Sequence, residues 1–236
     1  MKTLTINLTA PLQSYGNEAA FTRRTTNDYP TKSAVIGMIS AAFGYRRMDD
    51  RIVGLNNLSF AVRIDQVGRN LTDFQTVEWK PVTRKITYQD YVQDAIFVVA
   101  LGSEDDVLID QIKFALKHPK FQLCLGRRSN APAGVLKLQE FSEVTPLEAF
   151  KQLAWQAAPW YRKKRHPETL EVIADADLIE NSQGVMVKDR VVSFDQRNRR
   201  YGFRAIARTR IKLDEFETQG AEADTRHDIM EALGEE

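Results

Sequence analysis

The chain has 236 residues, with 33 Lys and Arg against 32 Asp and Glu, and this length suits one large domain or two small ones. A single cysteine excludes an internal disulfide framework and fits a reducing cytoplasm, while no apolar run or leader predicts a membrane span or a secretory signal. Residues 1–213 carry 32 bases and 23 acids, whereas residues 214–236 carry nine acids and one base. A basic body with an acidic end points toward nucleic acid, although a solvated surface with a disordered end has the same pattern.

Hydrophobic patterning predicts six elements in the first half of the chain. Alternating apolar residues indicate half-buried strands, and one continuous apolar run is typical of a strand buried on both faces. The strands are predicted at residues 3–9, 60–65, 95–101 and 121–125. One helix is predicted at residues 34–43, and a second begins after a capping pattern at Ser103 and ends before Pro119. The order strand, helix, strand, strand, helix, strand predicts a ferredoxin-like α+β arrangement.

The start of the first predicted helix is a candidate anion site. Lys32 and Ser33 open this helix, and Arg23 and Arg24 lie just upstream. Free N–H groups at a helix start attract a phosphate, and a hydroxyl and three cations add to that attraction. The alternative is an ordinary capped helix whose lysine points into water.

The segment between the second and third predicted strands, residues 67–94, is too long for a hairpin turn. It interleaves bases with aromatic rings and has little core-building pattern. Long insertions are usually functional or disordered, and this composition fits a finger that contacts nucleic acid through phosphates and stacking. An arm that contacts another protein is the alternative. The candidate residues are Arg69, Trp79, Lys80, Arg84, Lys85 and Tyr88.

A second basic segment, residues 126–134, follows the predicted strand at residues 121–125. Two glycines, a proline and the adjacent Arg127 and Arg128 indicate a loop with open backbone and concentrated charge. Guanidinium groups bind phosphate oxygens through paired hydrogen bonds, so the arginine pair favours phosphate binding over a plain surface turn.

Residues 135–213 read as a smaller, β-rich module. Thr145 opens a helix with a capping box, and strands are predicted at residues 169–174, 190–194 and 201–213. Alternation in the last strand places four bases on one face, which either meets acids of a neighbouring strand or binds an anion. These bases are Arg204, Arg208, Arg210 and Lys212.

The sequence offers little catalytic chemistry. The three histidines share no metal-ligand spacing with one another or with Cys124, and there is no P-loop, dinucleotide fingerprint or nucleophile elbow. We therefore expect neither a metal nor a cofactor. A metal-independent ribonuclease would need a general base near the RNA 2′-OH, for which His118 beside Lys117 is the candidate, with Tyr45 as a further group.

Five motifs in this order resemble the CasD family, the fifth CRISPR-associated family of the RAMP superfamily, whose members are subunits of type I-E Cascade complexes. They extend over nearly the whole chain up to Leu213. The motifs are LTAPLQSYG at residues 8–16, Arg24 with the segment 30–37, ITYQDYVQDA at residues 86–95, LGRRS at residues 125–129, and SFD at residues 193–195 with RRYGFR at residues 199–204.

The resemblance implies a ferredoxin-like (RAMP/RRM-like) domain over residues 1–134 with a thumb hairpin inserted at 67–94, and a smaller β-rich domain over residues 135–213. Residues 214–236 lie outside it, and their acidic composition predicts disorder. Family members hold the 5′ handle of the CRISPR RNA (crRNA) and cap the CasC backbone filament next to the large CasA subunit, meeting target DNA only through the complex. We therefore expect a cytoplasmic, non-catalytic antiviral subunit without membrane contact. The alternative function is that of an endoribonuclease that processes CRISPR repeat RNA. The resemblance leaves it open because a relative from type I-C systems cleaves the precursor RNA with Tyr, Lys and His.

The expected RNA contacts fall into three groups. In the body of the protein they are Tyr15, Arg23, Arg24, Lys32, Ser33, Arg46, Arg127, Arg128 and Ser129. On the thumb they are the six candidates of the insertion, Arg69, Trp79, Lys80, Arg84, Lys85 and Tyr88. On the C-terminal basic face they are Arg204, Arg208 and Arg210.

Overall fold

The computed structural model describes residues 1–20 and 22–213, and it has the predicted α+β architecture, with strands predominating. The acidic segment that was predicted to be disordered, residues 214–236, lies outside the described residues. The strands in chain order are β1 (Lys2–Thr9), β2 (Leu12–Gln13), β3 (Tyr15–Ala20), β4 (Arg23–Asn27), β5 (Ser59–Gln66), β6 (Arg69–Lys80), β7 (Thr83–Gln93), β8 (Ile96–Ser103), β9 (Leu138–Phe141), β10 (Thr169–Asp175), β11 (Val185–Ser193) and β12 (Arg200–Lys212). The helices are α1 (Lys32–Phe43), α2 (Arg51–Gly54), α3 (Asp106–Lys117), α4 (Pro146–Gln152) and α5 (Pro159–Arg162).

Seven strands form one sheet, here called the main sheet, in the order β11-β12-β10-β5-β8-β1-β9. Every neighbouring pair in it is antiparallel. The strands predicted at residues 3–9, 60–65 and 95–101 are its central members, and β8 is buried along almost its whole length, as its continuous apolar run predicts. Because β10 pairs with β5, the strands of the second half of the chain extend the sheet of the first half.

Helices α1 and α3 cover one face of the main sheet. Alternate apolar side chains of β1, β5 and β8 meet them, and among these Ile6 and Val99 are fully buried. The hydroxyl of Thr31 caps α1 by accepting a hydrogen bond from the N–H of Ala34 at 3.3 Å. The helix ends at Gly44, whose φ of 79° is the left-handed conformation that glycine adopts without steric cost.

Helix α4 packs on the opposite face of the main sheet. Its Phe150 lies in one apolar cluster with the small side chains of Ala61 on β5 and Ala100 on β8. The predicted capping box is present, because the N–H of Glu148 donates to the Thr145 hydroxyl and the N–H of Thr145 donates to the Glu148 carboxylate. The N–H and the hydroxyl of Thr145 both donate to the Glu148 carboxylate, at 2.7 and 2.9 Å, and lower the pKa of Glu148.

A buried ion pair on β5 holds the chain that follows α4. The guanidinium of Arg63, which is 1% exposed, donates to both carboxylate oxygens of Asp65 at 2.7 and 2.8 Å. It also donates to the carbonyl groups of Phe150, Leu153 and Ala154 at 2.6 to 2.9 Å. The pair therefore joins the centre of the main sheet to α4 and to the segment after it.

A second sheet carries a long hairpin. Its strand order is β2-β7-β4-β3, and β6 pairs with β7 in antiparallel orientation along almost its whole length. The hairpin of β6 and β7 lies within the predicted insertion at residues 67–94, and most of its outer residues are exposed. Strands β3 and β4 lie upstream of α1, where hydrophobic patterning predicts no element, so the prediction missed most of this sheet.

The strand predicted at residues 121–125 does not form. The N–H groups of Lys120 and Phe121 donate to the last carbonyl groups of α1, at 3.0 and 3.1 Å, instead of to a neighbouring strand. The side chains of Leu123 and Leu125 are buried in the core beneath α1, which accounts for the alternation that suggested a strand. Strand β9 pairs with the edge of β1 in its place.

The start of α3 differs from the predicted capping pattern by two residues. The carboxylate of Asp105 accepts a hydrogen bond from the N–H of Leu108 at 3.2 Å and is the N-cap. The Ser103 hydroxyl accepts from the N–H of Asp105 at 3.0 Å, so it shapes the approach to the helix rather than its first turn.

Candidate nucleic-acid interface

The base of the hairpin lies beside β4. Strands β4 and β7 pair in parallel, with Arg23 opposite Tyr88 and Arg24 opposite Gln89. The N–H of Tyr88 donates to the carbonyl of Thr22 at 2.8 Å. Because residues opposite each other on neighbouring strands project to the same face, Arg23 shares a face with Tyr88 and Arg24 lies on the other face.

The carboxylate of Asp90 restrains Arg23. The Arg23 Nε lies 3.3 Å from this carboxylate, which also accepts a hydrogen bond from the Thr72 hydroxyl at 2.7 Å. The Thr72 hydroxyl and the Arg23 guanidinium together hold the pKa of Asp90 below its ordinary value. The Arg23 side chain is nevertheless 62% exposed, so its guanidinium can also contact a phosphate from solvent.

The predicted arginine loop, residues 126–134, packs against the base of the hairpin sheet. Gly126 has a φ of 93°, and a Cβ at this position would lie 1.5 Å from the carbonyl oxygen of Ser14. The N–H of Ser14 donates to the carbonyl of Leu125 at 3.1 Å, and the N–H of Leu125 donates to the carbonyl of Asn130 at 2.8 Å. These contacts hold the loop closely against the segment between β2 and β3.

The two adjacent arginines of this loop have different environments. The Arg127 guanidinium is half-buried, lies 4.4 Å from the centre of the Tyr91 ring, and donates to the carbonyl groups of Asp90 and Arg24 at 3.1 and 3.0 Å. Arg128 is exposed, and its guanidinium makes no hydrogen bond within the described part of the chain. Arg127 therefore supports the loop from inside, and Arg128 is available to a ligand.

An exposed aromatic pair extends this site along the hairpin. Phe74 and Tyr88 lie directly opposite each other, with 65% and 44% of their surfaces exposed, and Ile86 follows on the same face. Because Arg23 lies opposite Tyr88 on that face, flat apolar rings adjoin a guanidinium. Bases of a single strand stack on such rings while phosphates contact neighbouring cations. We refer to Arg23, Phe74 and Tyr88, together with Arg24 on the opposite face of the sheet and Arg128 on the adjoining loop, as the hairpin-base cluster.

The predicted thumb residues all lie on the exposed hairpin. Near its tip, the Lys80 ammonium lies 4.5 Å from the centre of the Trp79 ring, which is 60% exposed. Arg84 pairs loosely with Glu78 at 3.7 Å, a solvent-exposed contact that contributes little to stability. These residues are Arg69, Trp79, Lys80, Arg84, Lys85 and Tyr88.

The start of α1 is not an open anion site, and this prediction was wrong. The Asp189 carboxylate, on β11, accepts hydrogen bonds from the N–H groups of Lys32 and Ser33 at 2.8 and 2.9 Å, in the position predicted for a phosphate. The Lys32 side chain is buried, with its ammonium 3.0 Å from Asp175. Burial lowers the pKa of Lys32 and Asp175 opposes that shift. Lys32 and Ser33 belong to an internal ion-pair network.

Two arginines of the C-terminal basic face pair with acids. The Arg204 side chain is 9% exposed and contacts both carboxylates of the same network, at 2.5 and 2.9 Å. Arg208 donates to Glu171 on the neighbouring strand β10 at 2.7 Å. Of the two alternatives left by the sequence, pairing with acids therefore applies to Arg204 and Arg208. Arg210 is exposed and forms no ion pair with any described residue.

Tyr15 does not offer a ring for base stacking, so this prediction was also wrong. The side chain is 1% exposed, and its hydroxyl donates to the Gln13 side chain at 2.6 Å. Its ring meets the edge of Phe97 in the core, and burial raises the pKa of Tyr15. Its neighbours in the sequence, Gln13, Ser14, Gly16 and Asn17, are polar or small and gave no sign of this burial.

Two predicted contacts lie outside the hairpin-base cluster or at its margin. Arg46 is exposed in the segment after α1, and no hydrogen bond or ion pair between described residues links it to the hairpin. Ser129 is exposed beside Arg128, and its hydroxyl donates to the side chain of Asn130 at 3.2 Å. The structure thus brings Ser129 close to the cluster but not Arg46.

The candidate groups for ribonuclease chemistry each have other partners. The Tyr45 ring stacks on Phe43 and lies beneath the Arg51 guanidinium, 4.1 Å away. The His118 ring packs against Phe114, and its Nδ1 lies 3.1 Å from the Phe114 carbonyl oxygen. No hydrogen bond or ring contact joins Tyr45 to His118, both of which are described residues.

Within residues 1–20 and 22–213, no cluster of three or more His, Cys, Asp or Glu side chains has the geometry of a metal site. The helices of this described part are all too short or too polar to span a membrane.

Gly126→Ala is expected to lower the free energy of unfolding by about 2 kcal/mol, because a Cβ meets the Ser14 carbonyl and the backbone has a left-handed φ. The matched control is Gly134→Ala in the same loop, where φ is 83° but a Cβ meets nothing within 4 Å. Urea unfolding of both variants separates the clash from the backbone strain. Equal losses in the two variants would contradict the close packing of the loop on Ser14.

Sequence reasoning missed Phe74 as a partner of Tyr88 and Asp189 as the occupant of the helix start. The pairing of Phe74 with Tyr88 depends on the register of the hairpin, which is set by the turn at Pro81 and Val82. A register shift between Glu78 and Lys80 displaces the pairing by one residue, so counting back from the turn alone would have placed Gln89 opposite Phe74. Asp189 lies 157 residues from Lys32 in the chain, and no local pattern connects the two.

The fold and the site define the class of this protein. It is an α+β protein with a seven-stranded antiparallel sheet and a long exposed hairpin, and arginines lie next to aromatic rings at the base of that hairpin. Residues 3–207 match the model of the family described as CRISPR-associated protein (Cas_Cas5). The chain therefore belongs to the Cas5 family of CRISPR-associated proteins, which confirms the CasD-type resemblance of its motifs.

Relatives of this chain include a curated protein and solved structures. The CRISPR system Cascade subunit CasD of Escherichia coli K12 is 28% identical over 146 residues, which cover 53% of this chain and 65% of that protein, less than two thirds of its length. A structure described as a CRISPR RNA-guided surveillance complex contains a chain 25% identical, with a TM-score of 0.73 and coverage of 91% and 92%. A Cas protein crystal structure is 31% identical, with a TM-score of 0.68 and coverage of 89% and 95%.

Proposed function

We propose that this chain is a non-catalytic, crRNA-binding subunit of a type I-E Cascade surveillance complex, in which it holds the 5′ handle of the RNA. Membership of the Cas5 family and the similarity to a Cascade subunit support the complex. The observation that carries the RNA-binding role is the hairpin-base cluster. It combines an exposed aromatic pair on the hairpin with exposed guanidinium groups on the neighbouring strand β4 and the adjoining arginine loop.

The electrostatics of the cluster suit a single RNA strand. Arg23, Arg24 and Arg128 are exposed. Among the described carboxylates, Asp90 pairs with Arg23, and the Arg23 side chain is still 62% exposed. Phosphates contribute most of the affinity of such an interface, whereas stacking on Phe74 and Tyr88 adds about 1–3 kcal/mol per base. Binding is therefore expected to be strong at low salt and to weaken steeply as salt increases.

The sheet topology supports the proposed ferredoxin-like domain and thumb. The order β9-β1-β8-β5, antiparallel throughout, with α1 and α3 on one face, is the order expected of two interleaved βαβ units. The β6–β7 hairpin projects from between the second and third strands of that arrangement and takes the role of the thumb.

The proposed partners are the CasC-type backbone subunits, whose filament this chain caps, and the large CasA-type subunit beside it. Target DNA meets the chain only through the assembled complex. We propose no catalytic role, because the rings of Tyr45 and His118 each pack against other side chains and do not contact each other. Repeat RNA incubated with the protein in EDTA is expected to remain intact.

A Phe74→Ala/Tyr88→Ala variant tests the function directly. We expect its affinity for handle RNA, measured by fluorescence anisotropy, to fall about 10- to 100-fold, because two stacking platforms are lost without a change in charge. Trp160→Ala, which removes an exposed ring of the α5 region, is the matched control and is expected to bind as the unchanged protein does. Unchanged binding in the double variant, or specific repeat cleavage that His118→Ala abolishes, would refute the proposed function.

A further inference from the structure

A second basic surface lies at the end of the β10–β12 pair, remote in sequence from the hairpin. Lys163, Lys164 and Arg165 follow α5 and are exposed, as are Arg210 and Lys212 on β12. None of these five side chains forms an ion pair with another described residue. We refer to these five residues as the strand-end patch.

The local structure explains why these cations are left unpaired. Arg162, the residue before them, turns inward and donates to the carbonyl groups of Ala157 and Trp155. The acid opposite Arg210 on β10 is Glu171, which pairs with Arg208 instead. The patch therefore has a surplus of positive charge that the described part of the chain does not neutralise.

The acidic C-terminal segment leaves the described structure at this patch. The N–H of Leu213 donates to the carbonyl of Glu168 at 3.1 Å, and Lys212 is paired with Thr169. The last described residue, Leu213, is therefore bonded to a residue only three positions after Arg165. Residues 214–236 contain nine carboxylates against a single arginine.

We propose that residues 214–236 bind the strand-end patch of the same chain and exclude nucleic-acid phosphates from it. The two partners have opposite charge, and the connection between them is only a few residues long. Such a tether gives an effective concentration in the millimolar range, so weak screened contacts are sufficient. The segment limits non-specific nucleic-acid binding by the free protein.

A four-protein cycle tests this contact with a labelled 20-nucleotide polyuridine as the probe, at low salt. The acidic segment is neutralised by changing its nine Asp and Glu residues to Asn and Gln, and the patch is neutralised by Lys163→Gln/Lys164→Gln/Arg165→Gln. We expect the variant with the neutralised acidic segment to bind polyuridine about 10-fold more tightly when the patch is intact. When the patch is also neutralised, we expect the gain in affinity to be less than about 2-fold. An equal increase in affinity with the intact and the neutralised patch would mean that only net charge matters, and it would overturn the proposal. An unchanged affinity in both cases would overturn it as well.

A matched background separates the patch from other cations. Lys137→Gln/Lys151→Gln/Arg197→Gln removes three exposed charges on other elements, and the roughly 10-fold effect of the acids is expected to persist there. Zero-length carbodiimide cross-linking gives a second measurement on the unaltered chain. We expect amide links from Lys163 or Lys164 to carboxylates of residues 214–236, and links formed only elsewhere would contradict the contact. Polyuridine lacks the handle sequence, so failure here leaves the proposed function intact.

Discussion

Arg63→Met is expected to lower the free energy of unfolding by about 3–5 kcal/mol, the cost of removing one partner from a buried ion pair. The substitution leaves the Asp65 carboxylate buried without its guanidinium, although the N–H of Gln156 still donates to it at 2.6 Å. It also leaves the carbonyl groups of Phe150 and Leu153 without their donor. Urea unfolding followed by circular dichroism measures the loss.

The pH dependence of that loss identifies its cause. Burial raises the pKa of Asp65, and the Arg63 guanidinium opposes this shift. Without Arg63 the pKa of the folded state rises further, so the native protein binds a proton more tightly than the unfolded chain does. The stability deficit is then smallest below the ordinary pKa of an aspartic acid and grows as the pH rises through the raised value. A deficit independent of pH would contradict this explanation.

The double variant Arg63→Met/Asp65→Leu is the control. Removing both charges abolishes the uncompensated carboxylate, so we expect it to recover at least about 1 kcal/mol relative to Arg63→Met. Recovery remains partial because the Gln156 N–H and the carbonyl groups of Phe150 and Leu153 stay unpaired, whereas the Ala154 carbonyl still accepts from the Gln156 side chain. A double variant less stable than Arg63→Met would mean that the pair contributes mainly through packing.

The central elements could be predicted from the sequence because their signals are local. Alternation gave β1 and β5, a continuous apolar run gave β8, and Thr145 with Glu148 gave the start of α4. The segment at residues 121–125 has the same alternation, but its backbone bonds to the end of α1. Periodicity reports which side chains are buried, and it does not report which backbone groups are paired.

The site was predicted less well because charge alone does not reveal its partner. Arg128 and Arg204 each follow a glycine by two residues in the sequence. The first is exposed in a loop, whereas the second meets Asp189, which also receives the N–H groups at the start of α1. Pairing between distant elements decides which cations remain free. Arg127 is likewise occupied by a distant partner, because its guanidinium donates to the carbonyl of Arg24 and supports the loop from inside.

The second large effect concerns RNA affinity. Arg23→Gln/Arg24→Gln/Arg128→Gln is expected to weaken handle RNA binding on the order of 100-fold at moderate salt, because three phosphate contacts are lost. Folding stability should change little, since the Arg23–Asp90 pair is solvent-exposed and surface pairs contribute about 0–1 kcal/mol. Lys137→Gln/Lys151→Gln/Arg197→Gln has the same change in net charge and is expected to bind handle RNA nearly normally.

The salt dependence of handle RNA affinity tests the hairpin-base cluster most directly. Each phosphate contact to a single strand contributes about 0.7 to the slope of log affinity against log salt, so the triple arginine variant is expected to have a slope smaller by about 2. The control variant is expected to keep the slope of the unchanged protein. A triple arginine variant with an unchanged slope would show that these arginines do not contact the RNA backbone.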